Sequence, residues 1–504
     1  MLRRRNLMAA ALATLAGPPA RAGKPDEALR VTWRDAVPDL DPYRNQLRTG
    51  FVLAHHVWDC LVDRDAETFQ IRPLLATGWR QESDTALSFT LRPDVLFHDG
   101  SPCGADDVVY TVDSILAGHG IAVPALFAWL AGAEAVDAAT VRLMLREPFP
   151  AALEYIAMVM PILPRAYRTR VGAEGFARAP VGTGPYRVLP GDTPDRLTLE
   201  RFAGYLPDGP KGRPPIGRIA IQAVATPLDE LTALVADRAD WIWEMGPQAF
   251  AAVAQAPGLQ ALRGDTMRLG YLSLDAAGRS AAGNPLTDVR VRQAICQAID
   301  REALAARLGV IAARVPDAPC FPTQFGCDGG AAVRYPHDPA KARALLAEAG
   351  FAGGFATELV SYVLPEVAAS VRSDLQSVGI AADVVQLPTA EALARAEAGH
   401  APLFLGSWGS YSINDVAAFL PQFFGGGPLD YARQPELADM LDRAGASGDA
   451  DLRRVLYGQA IRRISTDALW LPLHTYAATY GMTRTLNARP FADELPRFYL
   501  ASWK

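Results

Sequence analysis

Few residues in this 504-residue chain have the type and spacing to do chemistry, and they are scattered. His98 and Asp99 adjoin in Phe97-His98-Asp99-Gly100, a pair that could exchange a proton. No second histidine or nucleophile is tied to them, so a strand entering an Asp-Gly turn is the better reading. Gly182-Thr183-Gly184 lacks the third glycine of a dinucleotide fingerprint, and Pro185 blocks the helix start that such a fingerprint needs. A phosphate loop, an HExxH helix, paired CxxC motifs and a GxSxG elbow are all missing from the sequence. Of seven histidines only His55 and His56 cluster, so direct metal coordination is not expected. The five cysteines are odd in number and lack metal-site spacing. Cys320 and Cys327 could close the loop CFPTQFGC in an oxidising compartment, or their side chains could face apart. Cys60, Cys103 and Cys296 read as small buried hydrophobes. No nucleophile stands beside a base, so the sequence offers no motif for a hydrolase.

The composition fits that reading. Half the residues are hydrophobic and 21 % are charged, enough for a large core in two or three domains. The formal net charge is −6, and no long basic run follows the N-terminus, so nucleic acid is not an expected partner. Arg3-Arg4-Arg5, the apolar stretch Leu7 to Leu15 and the small-x-small site Ala20-Arg21-Ala22 have the layout of a secretory signal peptide over residues 1–22. Export could use the general or the twin-arginine route. Cleavage would remove four arginines and take the charge from −6 to −10. No cysteine near that site suggests a lipid anchor, and no later apolar run would span a membrane. A soluble periplasmic protein is the expectation.

Strands and helices alternate along the chain. Strands are expected at Leu29–Trp33, 87–91, 197–199 and Ile219–Val224, with VGTGPYRV (181–188) a turn leading into another. Gly270–Leu274 reads as a connecting strand. Helices are expected from Val52 to near Cys60, over Ala105–Leu116 and over Pro227–Ala236. Asp288 can cap one long helix through Val291, Ile295, Ile299, Leu304 and Leu308 to Gly309. Asp338-Pro339 opens another that ends before Gly350. This is mixed α/β architecture.

Residues 73–113, PLLATGWRQESDTALSFTLRPDVLFHDGSPCGADDVVYTVD, carry the strongest pattern. Around them, in order, stand Leu40-Asp41-Pro42, VWDCLVD (57–63), Gly182-Thr183-Gly184-Pro185-Tyr186, Arg238-Ala239-Asp240, Tyr271-Leu272-Ser273-Leu274, PLTDVRVRQAICQAIDR (285–301), DPAKARALLAEAGF (338–351) and LQSVGI (375–380). Together these blocks resemble the solute-binding proteins of peptide-type ABC importers, the dipeptide, oligopeptide and nickel-binding family. The resemblance spans nearly the whole chain after residue 22.

It implies a two-lobed α/β fold with mixed sheets, a large extended first lobe and an interdomain ligand cleft with a hinge. The first lobe would comprise residues 23–268 and 477–504, including an extra subdomain, and the second 269–476. Crossing segments near Arg268 and Tyr476 would act as hinges that close around ligand. The implied partners are a small peptide or peptide-like ligand and the permease subunits in the inner membrane. The protein would be monomeric and need no cofactor. By resemblance the cleft residues are Trp408, Ser410, Tyr411, Asn414 and Asp415, together with Trp243, Glu244, Tyr43 and Arg44. Trp408 would be a cleft wall, or a core aromatic. Peptide binders place an acid shortly after this Trp to pair with the ligand's amino group, but here Ser410-Tyr411-Ser412 intervene. Asp415 takes that role, caps a helix at Val416–Phe419, or does both. Arg44 could hold a carboxylate or lie on the surface. A binder of a nickel chelate, opine, glutathione or oligosaccharide, a sensor docking on a receptor, and a secreted hydrolase are the alternatives.

Overall fold

The computed structural model describes residues 28–504 apart from Gln46 and His119; the expected signal peptide lies outside the described residues. A ten-stranded mixed sheet runs through the molecule. Its order is Ile380–Gln386, Phe355–Ser361, Leu403–Trp408, Leu259–Leu274, Trp470–Thr483, Trp241–Trp243, Ala28–Trp33, Arg218–Ala223, Arg196–Arg201 and Tyr186–Val188. The two long central strands, Leu259–Leu274 and Trp470–Thr483, pair antiparallel from Leu259↔Thr483 to Ser273↔Trp470. Leu403–Trp408, Phe355–Ser361 and Ile380–Gln386 lie on one side of this pair, and the strands from Trp241–Trp243 to Tyr186–Val188 on the other. A separate antiparallel sheet of Ala76–Ser83, Ala86–Leu91, Thr140–Leu145 and Leu130–Ala135 enlarges the first lobe.

The cores follow the same division. One cluster joins Leu29, Trp33, Phe89, Ile156 and Trp241 to Tyr480 and Phe498 from the end of the chain. Two others take their residues between Leu269 and Leu473. Ile413 is the exception, because it lies in the sequence of the second group but packs fully buried in the first.

Family-type blocks far apart in sequence hold one another. His98 Nε2 donates to the Gly184 carbonyl at 3.0 Å, and the Gly182 N–H donates to His98 Nδ1 at 3.2 Å. Burial pushes this imidazole down to about 4, so it is neutral and can serve both bonds. Thr183 Oγ1 accepts from the Asp59 N–H at 3.1 Å. Lys211 pairs with Asp59 at 2.7 Å and donates to the His55 and Trp58 carbonyls. Phe97-His98-Asp99-Gly100 is therefore a structural turn, with Gly100 at φ +84°.

Helix ends obey local chemistry. Ala105–Leu116 forms as expected, as does Pro339–Glu348, where Asp338 accepts from the Lys341 N–H at 2.9 Å. The single helix expected from Asp288 to Gly309 is instead two, Val289–Ala298 and Arg301–Leu308. Ile299 is extended, and the Asp300 carboxylate captures the Ala303 N–H at 2.9 Å and starts the second helix. The connecting strand expected at Gly270–Leu274 is the end of a 16-residue strand beginning at Leu259. Cys320 and Cys327 are disulfide-bonded, with Cα atoms 5.7 Å apart.

A Cβ at Gly182 would lie 2.0 Å from the Val57 carbonyl oxygen, whereas one at Gly100 would meet open space. Gly182→Ala should thus cost at least about 3 kcal/mol by overpacking. Gly100→Ala should cost only about 1–2 kcal/mol of left-handed strain. Urea midpoints of the two variants check this order.

Candidate functional site

In open α/β sheets, ligands bind at the carboxyl ends of strands, where the topology changes direction. Three strand ends meet such a place here. Ala28–Trp33 and Trp241–Trp243 run parallel and side by side, with Val31 opposite Trp241. Leu403–Trp408 ends opposite Leu269 on the long strand. Next to Leu269 the central ladder breaks register. Asp265 faces Ala477 and Leu269 faces Thr475, so Thr266, Met267 and Arg268 oppose Tyr476 alone.

The residues just past these ends are Arg34, Glu244 and Gly409, and the bulge presents Arg268. Glu494 accepts from Arg268 Nε at 2.9 Å and Nη2 at 3.0 Å, and from Arg48 Nη2 at 2.7 Å. A Cβ added to Gly409 would lie 3.4 Å from both Arg268 Nη2 and Glu494 Oε2, which puts this backbone against the ion cluster. Across the crevice Arg34 Nη2 donates to Glu244 Oε2 at 3.0 Å, and Arg34 Nε lies 3.1 Å from Glu230 Oε2.

Burial would raise the Glu494 carboxyl, but Arg268 and Arg48 outweigh it and hold it below its ordinary value. Burial raises Glu244 against the pull of Arg34. Yet the Glu244 side chain is 61 % accessible.

Backbone strain gathers here. Nine non-glycine residues have positive φ among the described residues. Five of them are Glu244, Ser410, Tyr411, Ser412 and Glu494. Such conformations persist only where surrounding contacts over-determine them, and they cluster at functional sites. Ser410-Tyr411-Ser412 forms a left-handed turn that the first lobe grips. The Ser412 hydroxyl donates to the Asp493 carbonyl at 2.6 Å and accepts from Arg48 Nη1 at 2.8 Å. Its carbonyl accepts from Arg64 Nη1 at 2.6 Å. Arg64 is fully buried and also pairs with Asp493 at 2.7 Å and Glu154 at 2.9 Å.

The nine residues expected from sequence divide. Glu244 lines the crevice. Trp408 ends its strand there half-buried, with edge-on contacts to Tyr411 and Phe423 and an indole N–H without a partner among the described residues. Ser410 is buried and accepts from Gln324 Nε2 at 2.9 Å. Trp243 packs against Trp33 and Trp241 in the core. Asn414 and Asp415 border a separate cavity of about 830 Å³ with Phe69, Glu154, Phe325 and Arg453.

The Asp415 carboxylate is already committed. It accepts from Arg453 at 2.7 Å and from the Ala417 N–H at 2.9 Å, capping the short turn Val416–Ala418. Tyr43 is buried with its hydroxyl donating to the Pro161 carbonyl at 2.8 Å, and Arg44 pairs with Asp39 and Glu174. Neither of these two contacts the crevice cluster.

Sequence reasoning missed Arg34, Arg48, Arg268, Tyr476 and Glu494 as site residues. Arg34 carried a signal as the residue leaving a recognisable strand, and Arg268 and Tyr476 were marked only as crossing segments. Among the described residues no group of three or more His, Cys, Asp or Glu side chains could hold a metal ion. No helix among them is long and apolar enough to cross a membrane.

The model of the bacterial extracellular solute-binding proteins, family 5, matches residues 70–430. The chain belongs to this family. The glutathione-binding protein GsiB of Salmonella typhi is 26 % identical over 369 residues, which cover 71 % of this chain and 69 % of that one. Among solved structures, HbpA2 of Haemophilus parasuis superposes with TM-score 0.82 at 24 % identity, over 95 % of this chain and 100 % of that one. The periplasmic binding protein DppA of Helicobacter pylori, solved with the peptide STSA, superposes with TM-score 0.78 at 20 % identity, over 96 % and 98 %. The fold is thus the two-lobed periplasmic-binding-protein fold, as the sequence blocks imply.

Two outcomes test the electrostatics. Asp415→Asn should cost about 3 kcal/mol by stranding buried Arg453, and the double replacement Asp415→Leu with Arg453→Met should recover much of that, read by urea denaturation. Burial raises Glu230 to about 8, against the pull of Arg34 and helped by Glu244. The folded state then holds a proton that the unfolded state releases above about 4.5, so stability should fall as pH rises from about 4.5 to 8. Glu230→Gln should flatten that slope in melting temperatures measured across the range.

Proposed function

We propose that this family 5 protein captures a di- or oligopeptide, or a peptide-like solute, in the crevice at the strand crossing and delivers it to the permease of an ABC importer. The carrying observation is the strand crossing: three strand ends beside a broken ladder, strained backbone and the ion pairs Arg34–Glu244 and Arg268–Glu494. Structure held under strain without a catalytic constellation suits capture rather than conversion. Glutathione and the peptide STSA, named with the relatives above, both carry ammonium and carboxylate groups, for which such charged groups are suited.

In this reading residues 23–268 with 477–504 move against 269–476, and the bulge at Thr266–Arg268 opposite Tyr476 absorbs the rotation. The protein works as a monomer in the periplasm after loss of residues 1–22. A non-peptide solute such as an opine is the second reading. It is favoured by one observation: the turn after Trp408 offers no acid, and Asp415 is paired with Arg453.

A thermal-shift panel of dipeptides, longer peptides, glutathione, opines, sugars and nickel–histidine tests both. A ligand at a hundred times its Kd adds about 2.7 kcal/mol to stability, which shifts the melting temperature by several degrees. Shifts from peptides or glutathione are expected. Silence from all of them beside a shift from an opine, sugar or chelate would move the protein to the second reading.

A further inference from the structure

We propose that the first lobe holds a second small-molecule site, which takes a neutral aromatic molecule bearing a hydrogen-bond-accepting oxygen. The site is a cavity of about 480 Å³ bounded by the segment 487–501 and by the neighbouring strands Trp241–Trp243 and Trp470–Thr483. Every residue lining it falls within 23–268 or 477–504, so it does not lie between the lobes. It shares no residue with the ion pairs of the strand crossing and does not depend on solute capture there.

The lining is aromatic and electrically balanced. Trp241, Tyr480, Phe491 and Phe498 all border the cavity. Trp241 meets Tyr480 and Phe498 edge-on, with ring centroids 4.9 and 5.0 Å apart. Rings held at such angles offer apolar faces and edges to a further ring. A volume of this order is usual for small-molecule sites, which commonly enclose about 300–1,000 Å³. Each charge on the lining is paired within the protein. Arg489 pairs with Glu67 at the accessible edge, and Arg497 pairs with Asp493 at 2.6 Å in the interior. Both guanidiniums lie over the Phe491 ring, at 5.3 and 4.8 Å. A charged occupant would give up its hydration here without gaining a counter-ion, so a neutral one is favoured.

Two donors on the lining specify more than an apolar shape. The Trp241 indole N–H and the Tyr480 hydroxyl are buried without a partner among the described residues. Trp241 is 0 % exposed and Tyr480 2 %. Burial raises the Tyr480 hydroxyl well above its ordinary value, so it keeps its proton to donate. Buried donors are nearly always paired, and leaving one unpaired costs more than a typical bond gains. A carbonyl or ether oxygen carried on a flat apolar body supplies the acceptor that these two groups lack. Leu500, 47 % exposed, borders the same cavity and gives it a rim open to solvent.

The test measures binding to the protein, purified as the cell exports it, by saturation-transfer NMR. The probes are acetophenone and benzamide, toluene as a ring without an acceptor, and benzoate and benzylammonium as charged rings. Acetophenone and benzamide should bind at least about tenfold more tightly than the other three. Tyr480→Phe removes only an unpartnered hydroxyl, so it should leave the melting temperature unchanged while cutting the preference for acetophenone over toluene at least about threefold. Leu500→Glu, at an accessible side chain, should weaken acetophenone at least about tenfold, again with the melting temperature unchanged. Acetophenone bound equally well by Leu500→Glu would overturn the placement in this cavity. Toluene bound as tightly as acetophenone would overturn the acceptor requirement, and charged rings bound as tightly would overturn the neutral one. No binding of any aromatic probe at about 5 mM would overturn the site itself.

Discussion

Trp470–Thr483 and Leu259–Leu274 hydrogen-bond along almost their whole length, and each belongs to both lobes. A shared ladder of this kind leaves little freedom. The ladder is interrupted twice, between Gly270 and Tyr271 and, more widely, between Asp265 and Leu269. That interruption, three residues opposite Tyr476, is also where three strands end and where Arg268 emerges. The same defect in pairing brings Arg268 out beside the strand ends, where it pairs with Glu494.

The second constraint is electrostatic. The turn Ser410-Tyr411-Ser412 comes from the second lobe's sequence, yet its polar groups are satisfied by Arg48, Arg64 and the Asp493 carbonyl, and Ile413 completes the first lobe's core. Arg64 and Asp493 are fully buried, with Arg497 as a further partner of the carboxylate. Arg497 and Arg64 together outweigh burial and hold Asp493 well below the usual carboxylate range. Buried ion clusters of this kind add less to stability than their number suggests, because each charge gives up its hydration. What they fix is geometry. Three consecutive residues in the left-handed region need several partners each, and the cluster supplies them.

Much of the scaffold was legible because it follows local rules. Asp338-Pro339 and the glycine after the helix mark an element whose ends fall where capping chemistry puts them. The break at Asp300 was equally present in sequence, but an apolar period continuing through Ile299 and Leu304 concealed it. The first ten residues of the strand Leu259–Leu274 alternate poorly, since a strand shared by two lobes changes neighbours along its length. For the site, Glu244 and Trp408 were legible as residues leaving strands. Arg48, Arg268 and Glu494 were not, because they meet across 226 and 446 positions of sequence and no local pattern announces such a meeting. Asp415 caps the turn Val416–Ala418, one of the readings that the sequence left open. An acid near a tryptophan has the right type, but only the fold reveals that Arg453, 38 residues on, has claimed it.

The blocks that identify the family and the residues that line the crevice are nearly disjoint, and there is a physical reason. His98, Gly182, Thr183, Gly184 and Asp59 meet at contacts of about 3 Å in which a single methyl group has no room, so their identities are dictated by packing and hydrogen bonding. Arg34 and Glu244 stand just past strand ends and Arg268 in the bulge, all with side chains partly accessible, so packing constrains their identities less. A fold of this kind can therefore change what it carries without changing what holds it together. Recognition of the family fixes the architecture and leaves the solute to be read from residues outside those blocks.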